Sequence, residues 1–347
     1  MLAAQMVPFA SIAIVNGAAS LWVDDRLYET FLRSCLFVFE NCAAANIHLY
    51  GDVDGLKGAA RDGGRDQQPP VRRQANRLKR LIESDWVCLN MLAARSAMQH
   101  GLRFVIKSSI HFVPLYGWYT LQRGYVYVRR FGSFTPKPIV RQLGWLSELG
   151  EAFWLHVFPE GTRFNRHRTK EIAEAAAYCR RRELPKLRHV WPPRSGAVTL
   201  SIAELRGVLD ALYDVTIAYG QTLEPGRQDD APTMYEFVCG RGDRHNHRSH
   251  PPAPAVQLGH PNEHRGDQRS GCTLDSLLAH FYANGCFPDV VETPARRQSI
   301  VMNFVCFSAL NAAVLAAVFS PNVRRFYALT ILSSPLLLVW NQLRGFI

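Results

Sequence analysis

The chain predicts an α/β domain with an N-terminal apolar anchor and a C-terminal transmembrane helical hairpin. Three observations predict it. Segments with helix period and strand period take turns between residues 86 and 219. Two uncharged apolar stretches follow at 301–320 and 326–343, and about 20 apolar residues are what a membrane-spanning helix needs. The first 23 residues are also apolar and carry no charge before Asp24-Asp25.

Taken in order, 1–23 has no basic n-region, which a cleaved signal peptide would carry. Gly17-Ala18-Ala19-Ser20 mimics a cleavage site, yet the better reading is a short membrane anchor. Trp86 to His100 has helical spacing, with Trp86, Leu89, Leu92 and Ala93 on one side, and Arg103 to Ile106 is a short apolar run. Gly124 to Arg130 alternates Tyr and Val as a strand does, and Pro138 to Leu149 is helical. Phe153 to Phe158 reads as a buried strand, Lys170 to Arg182 as a helix with a basic last turn, and Tyr213 to Tyr219 as another strand. Val301 to Ser320 and Phe326 to Leu343 form the hairpin, with Arg324 and Arg325 in its turn. Arg296 and Arg297 precede it and Arg344 follows, so the positive-inside rule assigns no orientation.

Two stretches are foreign to this pattern. Residues 51–80 are rich in Gly, Asp, Arg, Gln and Pro without period. In 240–272 the only large aliphatic residues are Val256 and Leu258. Neither buries enough apolar surface to offset its ordering entropy, so both are expected to be loops or disordered. His245, His247 and His250 read as a His-rich tract rather than a metal site, and no metal is expected. The resulting division is an anchor over 1–23, a catalytic-type domain over 24–239 with an anomalous loop at 51–80, a low-complexity segment and linker over 240–298, and the hairpin over 299–347.

Composition sets bounds. With 347 residues, 48% hydrophobic and 20% charged, the chain is neither disordered nor a disulfide scaffold. The eight cysteines form no Cys-x-x-Cys pair, which argues against a paired-thiolate zinc site and for a reducing, cytosol-facing environment. A net charge of +11 points to an anionic partner. The charges are dispersed and no nucleic-acid motif is present, so no nucleic-acid partner is expected.

The sharpest string is Phe158-Pro159-Glu160-Gly161-Thr162-Arg163, directly after the apolar run that ends at Val157. It sets a carboxylate and a guanidinium at the carboxyl end of a buried strand, where open α/β sheets bind ligands. Arg offers a planar fork of donors matched to phosphate, and Gly lets backbone approach a ligand. A surface turn with an incidental Glu–Arg pair fits the string equally well on these grounds.

FPEGTR resembles the signature of the glycerolipid acyltransferases, the lysophosphatidic acid acyltransferases and their relatives. Asp85-Trp86 resembles the end of that family's Asn-His-x4-Asp motif, and Lys107 through Arg130 its second block. His189 to Gly196 (HVWPPRSG) resembles the fourth block, while 24–52, 212–216 and 231–234 are similar to the membrane-anchored epsilon-type branch. The resemblance implies a glycerolipid-acyltransferase-like α/β domain and acyl transfer from acyl-CoA to lysophosphatidic acid or a related lysophospholipid. It implies no cofactor beyond acyl-CoA as co-substrate. Membrane lipid is the expected surroundings, in the endoplasmic reticulum membrane or, second, the mitochondrial outer membrane. By carry-over Asp85 orients a catalytic His. Glu160, Gly161, Thr162 and Arg163 form the phosphate-binding block, with Arg130 as a second clamp and Lys107 as a weaker one.

The pattern breaks at its base. Five residues before Asp85, where the family has His, stands Arg80, and Lys79 replaces the Asn. No histidine in the chain has Asp five positions later. Arg does not act as a base near neutral pH, its pKa being above 12. The foreign stretches 51–80 and 240–272 are read as mis-joined or mistranslated gene segments. The competing account is a catalytically inactive homologue that binds acidic lipid at the membrane.

Overall fold

The computed structural model describes residues 21–51, 74–78, 85–113, 116–129, 135–148, 152–161, 164, 166–209, 211–223, 233–239, 254–258, 270–288, 292–293, 295 and 297–343. Among these, α1 (Leu21–Leu36) runs into a π-turn (Phe37–Cys42) and β1 (His48–Gly51). Then come β2 (Gln74–Leu78), α2 (Asp85–Arg95), β3 (Leu102–Lys107), α3 (Tyr116–Gln122), β4 (Val126–Val128), α4 (Pro136–Glu148) and β5 (Trp154–Val157). The order continues with α5 (Thr169–Arg181), α6 (Ser195–Leu205), β6 (Ala211–Tyr219), α7 (Met234–Cys239), β7 (Pro254–Leu258), α8 (Ser270–Asn284), β8 (Glu292–Thr293), α9 (Ile300–Phe319) and α10 (Pro321–Leu343).

The eight strands form one sheet in the order β4-β3-β5-β2-β6-β7-β1-β8. From β4 to β6 every neighbouring pair is parallel, so five strands send their carboxyl ends to the same edge. Strand β7 joins β6 antiparallel and β1 parallel, and β8 closes that side antiparallel to β1. The α/β expectation holds, with strands where Arg103–Ile106, Gly124–Arg130, Phe153–Phe158 and Tyr213–Tyr219 suggested them.

A parallel sheet is stable when both faces are covered, and β5 shows how. Its Trp154 belongs to the cluster with Leu89, Leu92, Leu32 and Leu36 of α2 and α1. Leu155 and Val157 point the other way, into a cluster with Ile139, Leu143 and Leu146 of α4 and Val198 and Leu205 of α6. A run without polar alternation, interrupted here only by the buried His156, is what burial on both faces demands. Helix α5 is favoured by Glu171 in its first turn and by Arg180 and Arg181 in its last, each sign matching the helix dipole there.

Three expectations are corrected. Residues 51–80 are not loop throughout: Gln74–Leu78 is a central strand, bonded to β5 on one side and β6 on the other. Nor is 240–298 simply a linker. Ala255, Val256 and Leu258 of β7 are buried, and Leu274, Leu278 and Phe281 of α8 pack in one cluster with Tyr50 of β1 and Ala218 of β6. The sheet therefore extends past residue 239.

The third correction concerns the hairpin. Among the described residues no single helix is long and apolar enough to cross a membrane. Ile300–Ala316 and Pro321–Leu329 qualify only as a pair, and they are bent by 96° instead of lying antiparallel. Ser320 is extended at the break (φ −104°, ψ 116°), and Pro321 opens α10 with the φ a first helical turn requires. Arg324 and Tyr327 then fix the corner by donating to the carbonyls of Val318 (2.7 Å) and Ala313 (3.1 Å). Of the 1–23 anchor only Leu21–Val23 is described, as the start of α1.

Helix α9 is fastened to the domain. Phe37 packs on Phe304 and Phe307 with ring centroids 5.4 and 4.8 Å apart, and Asn303 donates to Asn41 at 3.0 Å. Just before α9, the Gln298 N–H donates to Glu40, whose buried carboxylate pairs with Arg95 at the end of α2 (2.9 Å each). The outward side of the two helices remains apolar and exposed, as at Phe319 (81%), Leu332 (72%) and Leu336 (72%).

Candidate active site

Strands β2 and β5 run side by side in the register Gln74↔Trp154 to Arg77↔Val157. Whatever follows each strand leaves the sheet at the same level of the same edge. After β5 come Phe158, Pro159, Glu160 and Gly161; after β2 come residues 79–84 and the start of α2 at Asp85. The two sequence-distant blocks thus follow adjoining parallel strands in the chain.

On the β5 side the chain turns tightly. The Gly161 N–H donates back to the Phe158 carbonyl (3.1 Å), and Gly161 takes φ +68°, the left-handed region that favours glycine. Glu160 is buried, and its carboxylate accepts the backbone N–H of Trp191 at 3.1 Å. Three residues on, the Arg194 N–H donates to the Pro159 carbonyl at 2.7 Å. Phe164 packs on Trp191 with centroids 5.1 Å apart. Segment 191–194 is therefore stitched to the turn, and Glu160 holds the loop rather than facing open solvent.

On the β2 side Asp85 is fully buried at the first turn of α2, where a carboxylate is favoured by the helix dipole. The Tyr219 hydroxyl donates to it at 2.8 Å from the end of β6, the other neighbour of β2. Cys88 lies one turn along, its sulfur 3.5 Å from the same hydroxyl, and burial pushes its thiol well up, so it is no nucleophile. Tyr219 was missed as a site residue because a Tyr ending an apolar strand reads as core. The available signal was its hydroxyl, which a buried Tyr must satisfy.

The remaining expected residues divide in two. Lys107 ends β3 exposed, on the same carboxyl edge as Val157. Lys79, Arg80, Arg130, Thr162 and Arg163 lie outside the described residues, as does the His-rich tract 245–250.

Two buried histidines do not supply the missing base. His156 of β5 has no hydrogen-bond partner and lies between Phe104 (5.1 Å, stacked) and Trp154 (6.3 Å, edge-on). Burial pushes its pKa down to about 3, so it is neutral and a weak base. His111 is likewise buried without a partner, stacked on Phe112, with its pKa lowered by the same cause.

Residues 82–220 match the family model described as Acyltransferase. The match runs from just before Asp85 to just after Tyr219, so it encloses both blocks. The chain is 36% identical over 218 residues to mouse 1-acyl-sn-glycerol-3-phosphate acyltransferase epsilon, covering 62% of this chain and 56% of that protein. It is 29% identical over 236 residues to Brassica napus 1-acyl-sn-glycerol-3-phosphate acyltransferase 2 (66% of this chain, 57% of the relative). To the human delta enzyme it is 24% identical over 242 residues (67% and 59%). The chain spans between 56% and 59% of the length of these relatives.

Proposed function

We propose that the chain belongs to an acyl-CoA-dependent O-acyltransferase that converts lysophosphatidic acid, or a related lysophospholipid, to the diacyl phospholipid. The free glycerol hydroxyl would attack the thioester carbonyl, the C–S bond would break, and the coenzyme A thiolate would take up the proton. The observation that carries this reading is the register of β2 on β5. In support, Asp85 follows β2 and the Glu160-Gly161 turn follows β5 along the chain, and both lie within the residues that match the acyltransferase family model. In this reading Arg163 and Arg130 bind phosphate, and Lys107, at the carboxyl end of β3, is a weaker clamp. The similarity to 1-acyl-sn-glycerol-3-phosphate acyltransferases supports the substrate.

One residue favours a second reading. Arg80 stands where the base belongs, so the chain as written binds substrate without appreciable turnover. General-base catalysis contributes ~10²–10⁴-fold. The test is transfer of labelled oleate from oleoyl-CoA to lysophosphatidate by the written chain and by Lys79→Asn/Arg80→His. Because Gln74–Leu78 is already in register, the double substitution should raise the rate ~10²-fold or more. Robust turnover by the unaltered chain refutes the missing base. A repaired chain that stays inactive favours the inactive lipid-binding homologue.

An internal membrane, the endoplasmic reticulum first, is the proposed location. The support is the apolar outward side of α9 and α10, since a helix apolar all round needs either protein or lipid about it. Alkaline carbonate should leave the full chain in the membrane pellet; complete release refutes this part of the proposal.

A further inference from the structure

We propose that Arg194 is a phosphate-binding residue of this site, in addition to the Arg163 expected from the sequence. Its backbone is pinned to the strand-end turn by the 2.7 Å hydrogen bond to Pro159, and Trp191 is pinned to Glu160. Its side chain lies over Gly161: a Cβ built there would sit 3.7 Å from Arg194 Cδ and 4.0 Å from Nε. The guanidinium is exposed and makes no ion pair among the described residues. By contrast, the buried Arg95 and Arg123 are each held by carboxylates, Glu40 for the first and Asp24 and Asp25 for the second. An unpaired guanidinium on backbone that is held at the carboxyl edge of a parallel sheet has the fork geometry and the charge for a phosphate monoester. Nearby Gly161 leaves room for the phosphate oxygens to approach backbone. Two substrates of the proposed reaction carry such a group: the lysophosphatidate head and the ribose phosphate of coenzyme A.

The inference rests on the acyl-transfer reading, and the experiment separates their failures. Full-length chain in detergent is titrated with lysophosphatidate, with monoacylglycerol of the same acyl chain, and with oleoyl-CoA, following tryptophan fluorescence. The written chain should bind lysophosphatidate or oleoyl-CoA well above monoacylglycerol. If it binds neither phosphorylated ligand, the acyl-transfer reading and this inference fall together. Arg194→Gln should weaken one phosphorylated ligand on the order of 10- to 100-fold and leave monoacylglycerol unchanged. Which of the two ligands loses affinity identifies the phosphate. Arg194→Lys should recover only part of the loss, because a single ammonium lacks the fork. Arg194→Gln with an unchanged melting temperature and unchanged affinity for both phosphorylated ligands overturns the inference alone.

Discussion

His156 makes the folded protein sensitive to acid in a way that can be calculated. Its ring is fully buried between Phe104 and Trp154, neither nitrogen is hydrogen-bonded, and its folded pKa falls to about 3 from an ordinary value of 6.5. The folded state therefore refuses a proton that the unfolded chain accepts below pH 6.5, so stability is complete above that pH and falls as the pH drops toward 3. The slope is about 1.4 kcal/mol per pH unit, giving a loss of about 2 kcal/mol at pH 5 from this residue alone. Carried to pH 3, the loss is about 4 kcal/mol. His156→Phe keeps an aromatic ring against Phe104 and removes the titration. Urea unfolding of both proteins in the same mild detergent, at pH 7.5, 6.5, 5.5 and 5.0, compares them. Whatever the substitution costs near neutrality, the difference in stability should move by about 2 kcal/mol in favour of the variant between pH 7.5 and 5. Parallel pH profiles would refute the burial argument and reopen His156 as a proton acceptor.

Two further predictions concern the supports of the site. Tyr219→Phe removes the donor to the buried Asp85 carboxylate and should destabilise the fold by about 1–3 kcal/mol, measured by urea unfolding. In the Lys79→Asn/Arg80→His background the same substitution should lower kcat more than it raises KM, and equal kinetics would remove Tyr219 from the positioning of Asp85. Arg95→Met strands the Glu40 carboxylate and should cost about 3–5 kcal/mol, with Glu40→Leu/Arg95→Met recovering much of it; a double variant no more stable than Arg95→Met would contradict the buried-pair account.

Strands β3, β5 and β6 were legible because most of their residues are apolar or β-branched, as burial of a parallel sheet on both faces favours. Gln74-Ala75-Asn76-Arg77-Leu78 has no such pattern: its place comes from backbone pairing with β5 and β6, which periodicity does not record. In 240–272 the two exceptions to the polar composition, Val256 and Leu258, were the signal, for both are buried in β7. The site was legible wherever a carboxylate or a glycine was needed at a strand end. It was not legible at Tyr219, which reaches the edge from β6, and nothing in its local sequence says which edge it meets. Arg194 fell inside the fourth-block resemblance, but that likeness named no role for it; the bond from its backbone to Pro159 places it at the turn.

The Glu40–Arg95 pair has a mechanical consequence. Arg95 ends the helix that Asp85 begins, and Glu40 also holds Gln298 at the threshold of α9. One short rigid rod, α2, thus links the carboxylate of the site to the base of the exposed apolar helices. The sheet edge that carries Asp85 is thus tied to α9 by side-chain bonds through Glu40 as well as by the chain itself.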